Sequence, residues 1–216
     1  PRIEIAPMTA VVRPATDPST TDRSDVRLIV LGGVQLGIVT SVGVTAFALL
    51  SRTLAGPAEV VVQAVLLVVG GIVFSYAPSL GVRPRTVDGI AWATLVGLLG
   101  ALVFTVIDTA LLRPLQLYHW SWDAIGGGSG FWYIPVWWMG SAVLAWLGAL
   151  VVATVARGGR EPAPLVIGLL TAGLAIVLFG LGVAVRLLPF HAASMALAVV
   201  AALVLHVAIV AVTARR

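Results

Sequence analysis

The sequence predicts an all-α, polytopic membrane protein with six transmembrane helices and both termini in the cytoplasm. Three observations carry that reading. Sixty per cent of the 216 residues are apolar and ten per cent are charged, with a mean hydropathy of +1.08, far greasier than a soluble domain. Six apolar stretches of about 20 residues match the bilayer's hydrocarbon thickness at a rise of roughly 1.5 Å per residue. The arginines also segregate. With the N-terminus inside, Arg2, Arg13, Arg23, Arg27, Arg83, Arg85, Arg157, Arg160, Arg215 and Arg216 fall on the cytoplasmic side. Only Arg52, Arg113 and Arg186 fall outside, a strong positive-inside bias.

Composition also narrows the chemistry. The chain has no cysteine, which excludes disulfides, thiolate catalysis and thiolate-bound metals. It has no lysine either, so its net charge of +4 rests on arginine alone. In a membrane protein that balance reports topology and lipid-headgroup contact, and we expect no nucleic-acid partner. An Ala-, Val-, Gly- and Arg-rich chain without lysine fits a GC-rich bacterial genome, and hence a multi-pass protein of the bacterial cytoplasmic (inner) membrane.

Residues 1–26 are polar, proline-containing and aperiodic. No apolar core with a small-residue cleavage site precedes the first span, so we read them as a cytoplasmic tail and not a signal peptide. The tail is expected to be ordered only by contact, with a partner protein or with the chain's own cytoplasmic face. Residues 27–216 form the bundle. Span one is predicted over 28–50, with Gly33 and Gly37 spaced for close helix approach. Span two covers 59–79, opened by Pro57 and closed near Pro78, and span three covers 89–112. An outer loop at 113–132 leads to span four at 133–156. GGREPAP breaks the chain before span five at 165–187, and Leu188, Pro189 and Phe190 turn it into span six at 191–213.

The stretch richest in chemistry is 107–140, IDTALLRPLQLYHWSWDAIGGGSGFWYIPVWWMG, which holds five of the seven tryptophans. Asp108 lies about a turn inside the outer end of span three. An acid at that depth must be paired or line a wet cavity, so it is either a structural partner of Arg113 or Arg186 or a functional acid. Trp120, Trp122, Trp132 and Tyr133 fit the aromatic belt that amphipathic rings form at a bilayer interface. Trp137, Trp138 and Trp146 run into span four, where a belt explains them less well. The glycine run at 126–130 lets the backbone fold back toward the membrane, where irregular chain is tolerated only against protein or a cavity. An aromatic crevice at the outer leaflet, lined by Trp120, Trp122, Trp132, Tyr133, Trp137 and Trp138, follows as an expectation.

Glu59, His119, Asp123 and His191 share the same membrane face and form a possible polar cluster. They lack metal-ligand spacing, so ordinary interfacial solvation competes with an acid–base role, and no metal site is assigned. His206 lies deep in span six, about 22 Å along the helix from His191. It is either a lone ligand for a haem or chlorophyll or a hydrogen-bond partner of Gln35, Thr40 or Gln63.

The order of an acid ending a span, proline, Trp-Ser-Trp, glycine run, aromatic pair, then proline and glycine is informative. It reads Asp108, Pro114, Trp120-Ser121-Trp122, Gly126-Gly127-Gly128, Trp132-Tyr133, Pro135 and Gly140. This order resembles the integral-membrane carotenoid-biosynthesis proteins of the bisanhydrobacterioruberin-hydratase-like group, with the membrane lycopene cyclases a looser comparison. The resemblance covers residues 107–140 only; the chain is shorter than those proteins, and their further acidic positions have no counterpart here. It implies a long polyene, carotenoid or isoprenoid ligand between spans, with Asp108 as a proton donor. The expected function is therefore binding or modification of such a ligand, whether carotenoid, other pigment or lipid. The alternatives are a non-catalytic accessory subunit of a photosynthetic or respiratory complex, and a small transporter, which the scarcity of polar residues in the spans disfavours.

Overall fold

A computed structural model describes residues 22–117 and 133–214, with side chains from residue 137 onward in the helix that begins at 133. Six α-helices make up the described chain: α1 Val26–Thr53, α2 Pro57–Val82, α3 Val87–Ile107, α4 Tyr133–Arg157, α5 Pro164–Ala184 and α6 Ala192–Thr213. All six are long and apolar enough to cross a membrane. There is no strand among the described residues.

The helix ends follow local chemistry. Asp25 caps α1 by accepting from the Arg27 amide, Thr86 caps α3 at the Gly89 amide, and Pro57 and Pro164 open α2 and α5. Each cap satisfies, and each proline removes, one of the first-turn N–H groups that have no partner inside the helix. One expected boundary is wrong. Pro78 does not close span two; α2 runs through it to Val82, and Arg83 ends the helix in the left-handed region at φ 53°. A proline this near the end costs one hydrogen bond, and packing outweighs that loss.

α2 lies against all five other helices, α4 against α2, α3 and α6, α1 against α2 and α3, and α5 against α2 and α6. The core accordingly has two main parts. Tyr76, Val151, Val152, Ala175, Met195 and Leu203 join α2, α4, α5 and α6, while Ile29, Val82, Ile90, Ala93, Ala149 and Ala153 join α1 to α4. Where helices meet closely, glycine is the reason. A Cβ on Gly33 would come within 2.6 Å of the Leu99 side chain, and one on Gly37 within 2.6 Å of Val103. The spaced glycines of α1 thus set its approach to α3. Interior hydroxyls stay mostly within their own helices: Thr40, Ser41, Thr94 and Thr154 each donate to the carbonyl four residues back, which satisfies them without a partner helix.

Of the polar tail, 1–21 lies outside the described residues. Asp22 seats on the α2–α3 connector: the Arg85 amide donates to its carboxylate at 2.6 Å, the Thr86 hydroxyl donates as well, and the Arg23 amide donates to the Val82 carbonyl at 2.9 Å.

Candidate functional site

α3 does not end as a regular helix. Asp108–Leu112 forms one π-helical turn, in which the Arg113 amide donates to the Asp108 carbonyl five residues back at 2.9 Å. In an α-helix, residues five apart point about 140° away from each other. The wider turn stacks them instead. As a result Arg113 Nε reaches Asp108 Oδ2 at 3.2 Å. Asp108 is fully buried, whereas the Arg113 side chain keeps 35% of its surface. Of the two arginines expected to pair with Asp108, Arg113 is the one that does.

The segment beyond is tied down too. Arg52, at the end of α1, donates to the Gln116 carbonyl, and Gln116 sits at φ 49°. The Arg52 contact holds the chain that follows the π-turn against α1.

One turn further inside, α4 meets α3 through two tryptophans. Trp137 and Phe104 pack edge to face, with centroids 5.5 Å apart and planes at 62°, the arrangement the ring quadrupoles favour. Trp138 Nε1–H donates to Thr105 Oγ1 at 3.1 Å, and that hydroxyl donates to the Ala101 carbonyl at 2.8 Å. Phe104 and Asp108 are four residues apart on one face of α3, so the Trp137 ring lies one turn below the acid. Trp146 does not join them. Eight residues carry a helix about 80° past two full turns, and Trp146 points outward, 45% exposed. Trp120, Trp122 and Trp132 lie outside the described residues, as does the Tyr133 side chain.

Two members of the expected polar cluster, Glu59 and His191, are described, each with a partner on its own helix or at its helix start. Glu59 accepts from Gln63 Nε2 at 2.9 Å, and the same nitrogen reaches Ser51 Oγ at 2.8 Å. His191 caps α6, its Nδ1 accepting from the Ala193 amide at 3.1 Å. Each is occupied where it stands. His119 and Asp123 lie outside the described residues.

His206 finds a different partner from the three expected. Its Nδ1 lies 2.6 Å from Thr171 Oγ1, which lies 2.7 Å from the Tyr76 hydroxyl and 3.0 Å from the Ile167 carbonyl. This buried chain links α6, α5 and α2. Gln35 is exposed, Thr40 bonds within α1, and Gln63 is held by Glu59 and Ser51. The sequence did hold a signal for the true partners. Tyr76 is six residues from the end of α2, Thr171 seven into α5 and His206 seven from the end of α6, so all three lie at one depth.

An apolar groove of about 630 Å³ opens between α1 and α2, walled by Leu28, Leu31, Val39, Val73 and Leu80. It lies toward the arginine-rich end, away from Asp108, and its polar lining groups are Gln35 and, at the start of α1, Arg27 and Asp25, whose carboxylate already caps the helix. The aromatic end of α3 and α4 therefore remains the candidate site. No family model matches the chain, and no curated protein or solved structure matches it.

Proposed function

We propose that this chain is a six-span integral protein of a bacterial cytoplasmic membrane, with both termini inside, that holds a long apolar isoprenoid- or carotenoid-type molecule against the outer-leaflet end of α3 and α4. The observation that carries the reading is the pair of tryptophans fixed on α3 one turn below a buried acid. Trp137 is held by Phe104 and Trp138 by Thr105, so both rings are set before any ligand arrives. Preset aromatic walls with few polar groups are what a long apolar molecule requires. Asp108 is engaged by Arg113, which supports a role in shaping the site over one as a proton donor. The reading is thus of a binder, in keeping with the loop's resemblance in ligand class.

Solvent extraction of the purified chain should release a polyene or isoprenoid, and Trp137→Ala should lose most of it while remaining folded. Recovery of phospholipid alone from the unaltered chain would refute the proposal.

Sidedness has its own test, helped by the absence of native cysteine. An impermeant thiol reagent should label Gln116→Cys in intact cells and Arg160→Cys only after the membrane is opened. The reverse pattern would invert the topology.

The accessory-subunit reading has one observation of its own. Gly173 and Gly180 of α5 face open space, beside the exposed side chains of Leu169, Ile176 and Val177. Such a smooth apolar face suits close approach of a helix from another chain. Migration as a larger complex in mild detergent, abolished by Gly173→Leu, would favour it.

A further inference from the structure

We infer that a second site, at the arginine-rich end of the bundle, binds a phosphate group. It is a pocket of about 180 Å³ between the end of α2, α4 and the α4–α5 connector, and its lining includes Ser79, Arg83, Arg85 and Glu161. The inference stands apart from the aromatic site and needs nothing from it.

Three observations converge on an anion. Ser79 lines the pocket with its side chain 1% exposed, yet its hydroxyl has no hydrogen-bond partner among the described residues. Most buried hydroxyls are bonded, because an unmade bond leaves the desolvation of the group uncompensated. A ligand oxygen in the pocket would accept a hydrogen bond from that hydroxyl. Arg83 ends α2 at φ 53°, a conformation uncommon outside glycine, and glycine is the usual residue at such a helix end. An arginine here forgoes that ease, and its guanidinium makes no ion pair among the described residues. Finally, the local charge is positive. The pocket lining sets Arg83 and Arg85 against one carboxylate, Glu161, which Arg85 holds at 2.9 Å, while Asp22 is bonded to the Arg85 and Thr86 backbone outside the lining. Arg157 stands behind them, its Nε donating to the Arg85 carbonyl at 3.3 Å.

A phosphate suits this arrangement better than a carboxylate. Glu161 already supplies a carboxylate to Arg85, and a group with more acceptor oxygens can serve Arg83, Arg85 and Ser79 together. Leu80, Val152, Pro162 and Pro164 complete the lining. Because the pocket sits where three helix ends meet their connectors, a phosphate could arrive as an anionic lipid headgroup or as a free ion. The shared chemistry is the same.

Thermal unfolding of the full chain in phosphatidylcholine nanodiscs distinguishes the sources. The probes are inorganic phosphate, matched in ionic strength with chloride, and nanodiscs of mixed phosphatidylcholine and phosphatidylglycerol. One of them should raise the midpoint by a few degrees through preferential binding to the folded state. Stabilisation by the mixed nanodiscs alone identifies a lipid headgroup, and stabilisation by the dissolved ion identifies free phosphate. Arg83→Gln should weaken the response by about tenfold or more in apparent affinity, the loss of a charge-assisted bond. Ser79→Ala should weaken it as well, while leaving the ligand-free midpoint unchanged or higher, because it deletes an unsatisfied hydroxyl. If neither probe stabilises the chain, or if both variants respond as the unaltered protein does, the inference fails.

Discussion

Arg113→Leu is expected to destabilise the protein by about 3–5 kcal/mol, the cost of stripping one partner from a buried ion pair. Asp108 is fully buried and bonded to Arg113 at 3.2 Å, so the variant would take a cationic partner from a carboxylate in a place water does not reach. Because Arg113 keeps about a third of its side-chain surface, part of its attraction is screened, and the lower end of the range is expected. The reverse variant behaves differently. Asp108→Asn keeps the size and one acceptor oxygen, and the freed guanidinium can turn to water, so its cost should stay near 1–2 kcal/mol, about that of a bond to a charged group. In the double variant Asp108→Asn should restore much of what Arg113→Leu loses, since the two effects share one interaction. Denaturant midpoints in detergent check all three. If Arg113→Leu costs no more than an ordinary surface substitution, the pair has no structural role. An Asp108→Asn variant of unchanged stability that loses a turnover would instead restore the proton-donor role.

How much of this could be read from the chain depends on which physical scale sets each feature. The six helices were legible because bilayer thickness and the apolar run lengths are matched quantities, and the boundaries fell within a few residues of those predicted. Gly33 and Gly37 were legible because a missing Cβ has one common use between apolar helices. The Asp108–Arg113 pair was only half legible. The sequence offered Arg113 and Arg186 equally, and regular helical geometry argues against a five-residue pair; it took the π-turn at 108–112 to decide it. Pro78 misled because the rule that proline ends helices describes an isolated segment, and here the chain after it is gripped by neighbours. For His206 the sequence offers either a lone cofactor ligand or a hydrogen bond to Gln35, Thr40 or Gln63, and the bond observed goes to Thr171 instead, since nothing local to residue 206 says which helices flank α6. The site's loop half, including Trp120, Trp122 and Trp132, was read from the sequence and lies outside the described residues.

Gly148→Ala should be more damaging than its single methyl group suggests. A Cβ at residue 148 would overlap the Ser75 backbone carbonyl on α2, and the Ser75 side chain is close behind. Ordinary overpacking costs about 1–3 kcal/mol because side chains can turn aside. A carbonyl in the middle of α2 cannot, so the helices themselves must separate. Ala145, three residues earlier on nearly the same face of α4, already presses against Gly97 of α3, so α4 is close-packed against both helices at this level. Moving α4 would disturb Ala149, Val151, Val152 and Ala153, all buried in the core. We therefore expect a loss at or above the top of that range, seen as a sharp fall in thermal midpoint and in folded yield. Gly173→Ala is the matched control. Its added Cβ meets nothing within 4 Å, and alanine favours helix over glycine by about 0.5–1 kcal/mol, so that variant should be neutral or slightly more stable. Equal midpoints for the two variants would show that α2 and α4 do not meet at Gly148, and the close-packed centre of the bundle would have to be redrawn.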